Sequence, residues 1–370
     1  MSSSAFAAIP NAVPIERRRA LSPSDMYESC FYGVGRPIIL TDAQRGWAAV
    51  RLWSFAYFAQ SFPEDKLFAS DRAPLRREDD PPMQTFRVTM REYCEYCTGR
   101  PSALARLERV AEPFYANSWA PFNAHAELRS HFALPESVPD SLQADDEPQL
   151  SRISNDFTKI FLGPAGTTTR LHNDTYYTHA WLSQIRGRKL FVLYPPSDAH
   201  ALHAGEGVSS GNGAQQTWFD PLAPDFERFP RARHTTAYVA ECAEGETIVV
   251  PSGWFHCAVS LTPSITLMRN FFNDANAEAF LSEYAKAQAA KVDRQAPSPR
   301  SEGTEVGALR EAAVMADEVG AAGTYAGAFS CVGACPPNSR PTTGAALNCC
   351  CRHSGTVAAW RRRRRRAGAD

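Results

Sequence analysis

Apolar residues in the middle of the chain recur with two periods. Short runs over 157–162, 168–174, 188–194, 246–250, 255–261 and 264–272 are rich in Val, Ile, Leu, Phe and Thr, and Gly and Pro separate them. That pattern predicts strand after strand. Before this block the period lengthens. Ser22-Pro-Ser-Asp-Met-Tyr27 opens like a capped helix with Pro in its first turn. Pro37–Leu40 reads as a buried strand. Trp53–Phe62 is helical in period, and Thr89–Cys97 opens a helix with Thr89 as its cap. An Ala-rich helix follows the strands over 275–290. Many short strands with turn signals, and helices gathered before and after them, predict a mainly β barrel or sandwich with flanking helices.

The text changes near residue 291. From Gln295-Ala-Pro-Ser-Pro-Arg300 onward it is dominated by Ala, Gly, Pro, Ser and Arg. Such a segment buries too little apolar surface to offset its ordering entropy. The expected organisation is therefore one domain over 1–291, with a β core at about 150–275, and a low-complexity, disordered tail over 292–370. Within the tail, 305–319 could form a short helix.

The chain's 44% hydrophobic content supports one large core or two modest ones. The net charge of -1 gives no bulk basicity for nucleic acid and no acidic bias toward disorder. No run of 18 apolar residues predicts a membrane span, and the N-terminus lacks the apolar stretch of a signal peptide. Five of the ten cysteines, Cys331, Cys335 and Cys349–Cys351, lie in the tail, and the rest show no disulfide framework. An intracellular, cytoplasmic or nuclear setting is expected.

Candidate chemistry begins at Leu171-His172-Asn173-Asp174. On a strand His172 and Asp174 face one side and Asn173 the other. Alone the pair is weak, since chance supplies about 0.4 His-x-Asp triplets in such a chain. A half-buried hydrogen-bonded pair is its plainer reading. Glu246-Thr-Ile-Val-Val-Pro-Ser-Gly-Trp-Phe-His256 adds a second imidazole at a strand start, in phase with Trp254 and Ala258. Taken alone, His256 is as readily a satisfied core histidine. Two imidazoles and one carboxylate with open positions make the facial triad of non-haem Fe(II) oxygenases, with zinc as the rival metal. In Gly187-Arg-Lys-Leu-Phe-Val-Leu-Tyr-Pro-Pro196, Lys189 is in phase with Phe191 and Leu193. If that face looks inward, Lys189 needs an anion, and the far carboxylate of a 2-oxo acid would serve. In the opposite phase Lys189 is a solvated strand residue.

These residues resemble the JmjC-domain, cupin-like family of Fe(II)- and 2-oxoglutarate-dependent oxygenases. The resemblance runs over about 14–275 and rests on Arg36–Thr41, Gly163–Asp174, Trp181–Pro196, Phe219–Pro230 and Gly245–Asn273, in that order. It is closest to the small, hydroxylase-type members. It implies a double-stranded β-helix, or jelly-roll, core. It implies that His172, Asp174 and His256 hold Fe(II), that Lys189, Thr169 and Tyr115 serve 2-oxoglutarate, and that Asn270 either serves it too or stands behind the metal ligands. Strict alternation from His172 turns Thr169 away, so a bulge is expected between them. Leu182 and Met268 depart from the family, standing where related proteins carry Asn and Thr.

The implied reaction consumes O2 and 2-oxoglutarate, releases succinate and CO2, and most simply hydroxylates a side chain of a protein substrate. Histone N-methyl demethylation, tRNA hydroxylation and a non-oxygenase metal-binding role remain alternatives. A homodimer through 275–290 is compatible with the family. Arg361–Arg366 could import the protein into the nucleus or touch nucleic acid, or be a solvated terminus. Cys94-x2-Cys97 is expected to pack rather than do redox chemistry.

Overall fold

The computed structural model describes residues 9–71, 84–107, 113–142, 153–206 and 213–295, with side chains to 290. The chain divides into two units, Met1–Ala287 and Gln288–Asp370. The short helix expected over 305–319, the tail cysteines and Arg361–Arg366 lie outside the described residues.

Fourteen strands among the described residues form two large sheets and a hairpin. The first sheet has the order β1 (Ala12–Pro14), β11 (Ala237–Cys242), β10 (Lys189–Tyr194), β13 (Phe255–Ser260) and β8 (Thr168–His172). The second has the order β2 (Glu16–Arg18), β3 (Ile38–Leu40), β12 (Thr247–Val250), β9 (His179–Arg186), β14 (Ser264–Phe271), β7 (Thr158–Gly163) and β6 (Ala116–Trp119). β4 (Lys66–Ser70) and β5 (Thr85–Thr89) pair separately. Successive strands from β7 to β14 fall in both sheets, and their pairings are antiparallel. This is the jelly-roll core expected from the family resemblance.

Alternation decides what the sheets enclose. Phe191, Leu193 and Ala240 of the first sheet meet Ala180, Leu182, Ile248, Val250 and Met268 of the second in one apolar cluster, with Trp254 beside them. The opposite face of the first sheet, Leu190, Val192, Val239 and Cys257, packs under Leu202, Phe219 and Phe229. Lys189 shares the phase of Phe191 and Leu193, so it points inward.

Six strand runs read from the sequence are present within two residues of their expected bounds. From β7 to β14, the hydrophobic pattern does not mark β9 and β11. β9 reads His-Ala-Trp-Leu-Ser-Gln-Ile-Arg and is buried through its first seven residues. It lies between β12 and β14 with both faces covered, so it has no polar side to give alternation. Its Ser183 pairs with Thr247 at 2.7 Å and Gln184 accepts from Thr266 at 2.9 Å. At the β9–β10 turn Gly187 has φ +74, and a Cβ there would lie 2.2 Å from the Pro263 carbonyl oxygen. Only glycine fits.

The helices follow local rules. Ser22 caps Pro23–Met26 by accepting from the Asp25 amide. Ser54 caps Phe55–Ser61, so Trp53 stands outside that helix. Thr89 caps Met90–Cys97 in a full capping box with Glu92. Cys94 and Cys97 on that helix are free and buried, and burial raises both thiols, Cys94 to about 12. They pack and do not act as thiolates. The last helix runs over Ala277–Gln295. No helix among the described residues is long and apolar enough to cross a membrane.

Candidate metal centre

His172 closes β8 and is the direct cross-strand partner of His256 on β13. Their ring centroids are 4.4 Å apart. Asp174 follows two residues later, and both Nε2 atoms lie 3.9 Å from its Oδ1. One ligand atom from each of the three residues falls within 4.8 Å of the others.

The ring orientations are set by the backbone. His172 Nδ1 is 2.7 Å from the Arg170 carbonyl oxygen and His256 Nδ1 is 3.2 Å from that of Trp254. A carbonyl only accepts, so each Nδ1 carries the proton and each Nε2 turns a lone pair to the common point. Burial, and then the neighbouring His256, lower the His172 pKa to about 4, which leaves that ring neutral at pH 7. Two imidazole Nε2 atoms and a carboxylate aimed at one point fit a divalent metal with open coordination positions.

The loop after Asp174 is held from several sides. Asn173, between the two ligands, is buried and clips residue Gln215 to the free edge of β8 through both backbone and side chain. Tyr176 and Tyr177 have φ of +54 and +50, a left-handed conformation that costs a bulky residue about 1–2 kcal/mol. Four hydrogen bonds hold them there. Ser252 and Asn276 both donate to the Tyr177 carbonyl at 2.7 Å, Thr178 donates to Thr175 at 2.9 Å, and Asn270 donates to Thr178 at 3.0 Å. Asn270 thus tethers the Asp174 loop.

Deeper in the barrel Lys189 is 2% exposed, and its ammonium donates to the Tyr115 hydroxyl at 2.8 Å. Thr169 hydrogen-bonds to the same Tyr115 hydroxyl. Thr169 reaches it because β8 takes three steps, from 172 to 169, where β13 takes two, from 256 to 258. This is the expected bulge. Gly163 makes room for the tyrosine, since a Cβ there would lie 2.9 Å from Tyr115 Cδ2. Among the described residues no carboxylate lies within ion-pair distance of Lys189. Burial lowers it to about 7, while it pushes Tyr115 up. A desolvated ammonium beside two hydroxyls, without an anion of its own, fits the far carboxylate of a 2-oxo acid.

Leu182 and Met268 stand side by side on the opposite wall, in one cross-strand row with Ile248. The family departures therefore make that wall apolar. Sequence reasoning missed one inward residue. Lys159 is the next partner in the row, opposite Met268 on β7. It is in phase with Phe161, whose strand had been recognised, so alternation could have found it. Burial lowers the Lys159 pKa, and the charges of Asp174 and Asp156 act against this.

A family model described as a cupin-like domain matches residues 23–278. The chain is similar to the lysine-specific demethylase JMJ21 of Arabidopsis thaliana, 26% identical over 274 residues, or 71% of this chain and 26% of that protein. It is similar to the 2-oxoglutarate and iron-dependent oxygenase JMJD4 of Gallus gallus, 30% identical over 145 residues, or 38% of this chain and 32% of that protein. It is also similar to the bifunctional arginine demethylase and lysyl-hydroxylase psr-1 of Caenorhabditis elegans, 25% identical over 249 residues, or 65% of this chain and 56% of that protein. The matches span from about a quarter to just over half of these relatives' lengths.

Proposed function

Because this chain belongs to the cupin-like domain family, we propose that it is an Fe(II)- and 2-oxoglutarate-dependent dioxygenase that hydroxylates a side chain of a protein substrate. The observation that carries the reading is the pairing of two sites in one barrel. His172, Asp174 and His256 converge on one point, and Lys189 waits with Tyr115 and Thr169 for an anion. When bound, the metal supplies redox chemistry with O2 and 2-oxoglutarate, yielding succinate, CO2 and the hydroxylated product.

The chain's own residues do the positioning. His172 and His256 present their Nε2 atoms as donors, and Asp174 offsets part of the metal charge. Lys189, Tyr115 and Thr169 hold the far carboxylate, and the Leu182–Met268 wall keeps the pocket dry. The relatives named as demethylases and as a lysyl-hydroxylase support the same chemistry with different products. N-methyl demethylation is the second outcome of that chemistry.

The test measures succinate from Fe(II), 2-oxoglutarate and O2, with metal content determined in parallel. Wild-type protein makes succinate. His172→Ala and Asp174→Ala keep their thermal transition and make none. Retained turnover in both variants, or bound zinc with no succinate from wild type, would overturn the reading. Incubation with peptide pools then separates the products, since hydroxylation adds one oxygen mass and demethylation removes a methyl carbon.

A further inference from the structure

Across the second sheet, Ile248, Leu182, Met268 and Lys159 are successive inward partners. Three are apolar and the fourth is an ammonium. Its height in the barrel follows from two contacts. The Phe161 ring is 5.7 Å from Lys189 Nζ, so Phe161 stands at the level of the proposed co-substrate carboxylate. Phe157, just before the start of β7, packs on Tyr176 in the loop after Asp174 at 6.1 Å. Lys159 lies between them, about 7 Å along the strand from Phe161 toward that loop. It is therefore on the metal side of the Lys189 pocket, where its charge acts on Asp174. Among the described residues no acceptor hydrogen-bonds to Lys159 and no carboxylate forms an ion pair with it.

A count of charge says what is missing. A divalent metal, Asp174, Lys189, Lys159 and a dianionic 2-oxo acid together leave one positive charge in a poorly hydrated pocket. A neutral substrate leaves that charge uncompensated, and a cationic one adds to it at short range. One carboxylate on the substrate neutralises it.

We infer that Lys159 selects the substrate of this site, its ammonium taking an acidic side chain next to the reacting carbon and turning away lysine and arginine. The assignment rests on the oxygenase reading for the metal and co-substrate charges. It names the substrate class as acidic peptide.

The experiment uses the full chain loaded with Fe(II) and 2-oxoglutarate without O2, so that binding is read without turnover. The probes are peptide pools with random flanks and a fixed central Asp, Asn or Lys. Wild type retains the Asp pool about tenfold better than the Lys pool, as expected for one short-range charge contact. Lys159→Arg keeps that order, Lys159→Glu reverses it, and Lys159→Met, which suits the apolar row, flattens it even if the Glu variant fails to fold. The inference is overturned if wild type and Lys159→Met rank the pools alike. It is overturned equally if Lys159→Met weakens 2-oxoglutarate binding and leaves the peptide order unchanged, since the lysine would then serve the co-substrate. Acid preference in a protein that never makes succinate would remove the oxygenase reading alone. Succinate production without acid preference would remove the role of Lys159 alone.

Discussion

Lys189 and Arg269 are both cations taken out of water, at 2% and 0% exposure, and their surroundings are opposite. Arg269, on the outer face of β14, donates to Asp140 at 2.6 Å, to the Ser154 carbonyl and hydroxyl at 2.8 Å, and to Thr158 at 2.9 Å. Its charge is answered by the fold. Lys189, inside the barrel, has the Tyr115 hydroxyl and no counter-ion among the described residues. Removing an ion from water costs several kcal/mol, and a fold that accepts that cost without pairing the ion is arranged for something that arrives later. The paired cation is therefore architecture, and the unpaired one is what the proposed 2-oxo acid site calls for.

The largest effect is expected where the pair is broken. Asp140→Ala leaves Arg269 buried and unpaired, and should cost about 3–5 kcal/mol in a denaturant titration. Its affinity for 2-oxoglutarate, measured while folded, should match wild type. Replacing both partners, as in Asp140→Leu with Arg269→Met, should recover most of that loss, because the unanswered charge is gone. A cost below about 1 kcal/mol for Asp140→Ala would mean that water already serves Arg269, and the contrast would fail.

Lys189→Met should do the reverse. It removes an ammonium that the fold does not pair, so stability should equal or exceed wild type. Affinity for 2-oxoglutarate should fall by about 2 kcal/mol or more, roughly thirtyfold. The pH dependence carries the same signature. Burial lowers Lys189 from 10.5 to about 7. Between those values the unfolded chain holds a proton that the folded chain has released, so stability rises with pH across this window and is lost as pH falls toward 7. On the proposed reading co-substrate binding needs the ammonium, so affinity should weaken as pH rises above about 7. Opposite slopes for stability and affinity, both flattened in Lys189→Met, would tie the two effects to one group.

How much of this was legible beforehand depended on range. Thr89 declared a helix start because its partner Glu92 is three residues away. The His172, Asp174 and His256 cluster was legible because β-strand alternation is local and His256 sits just past a Pro-Gly turn. The Thr169 bulge followed from a conflict of phase within five residues. Arg269 and Asp140 are 129 positions apart and nothing local links them. β9 stayed hidden because burial on both faces erases the alternation that marks a strand. Lys159 was legible in principle, on a recognised strand, but its meaning needed the apolar row beside it, which only cross-strand pairing assembles.

The finest test of the contrast is Tyr115→Phe. The hydroxyl is the acceptor that Lys189 has in the free protein, and it also joins Lys189 to Thr169. Deleting it keeps the ring that fills the space over Gly163, so the fold should be nearly unchanged. The ammonium loses its hydrogen bond, and its pKa should move further down. Two consequences separate this from a packing defect. Affinity for 2-oxoglutarate near neutral pH should fall by about 1 kcal/mol, roughly fivefold. The pH at which affinity begins to weaken should also move lower than in wild type, since the co-substrate must then recharge a more reluctant amine. A weaker affinity with an unshifted pH profile would mean that Tyr115 touches the co-substrate independently of Lys189. An unchanged affinity and profile would mean that the hydroxyl merely fills space, and that Lys189 is held by the barrel alone.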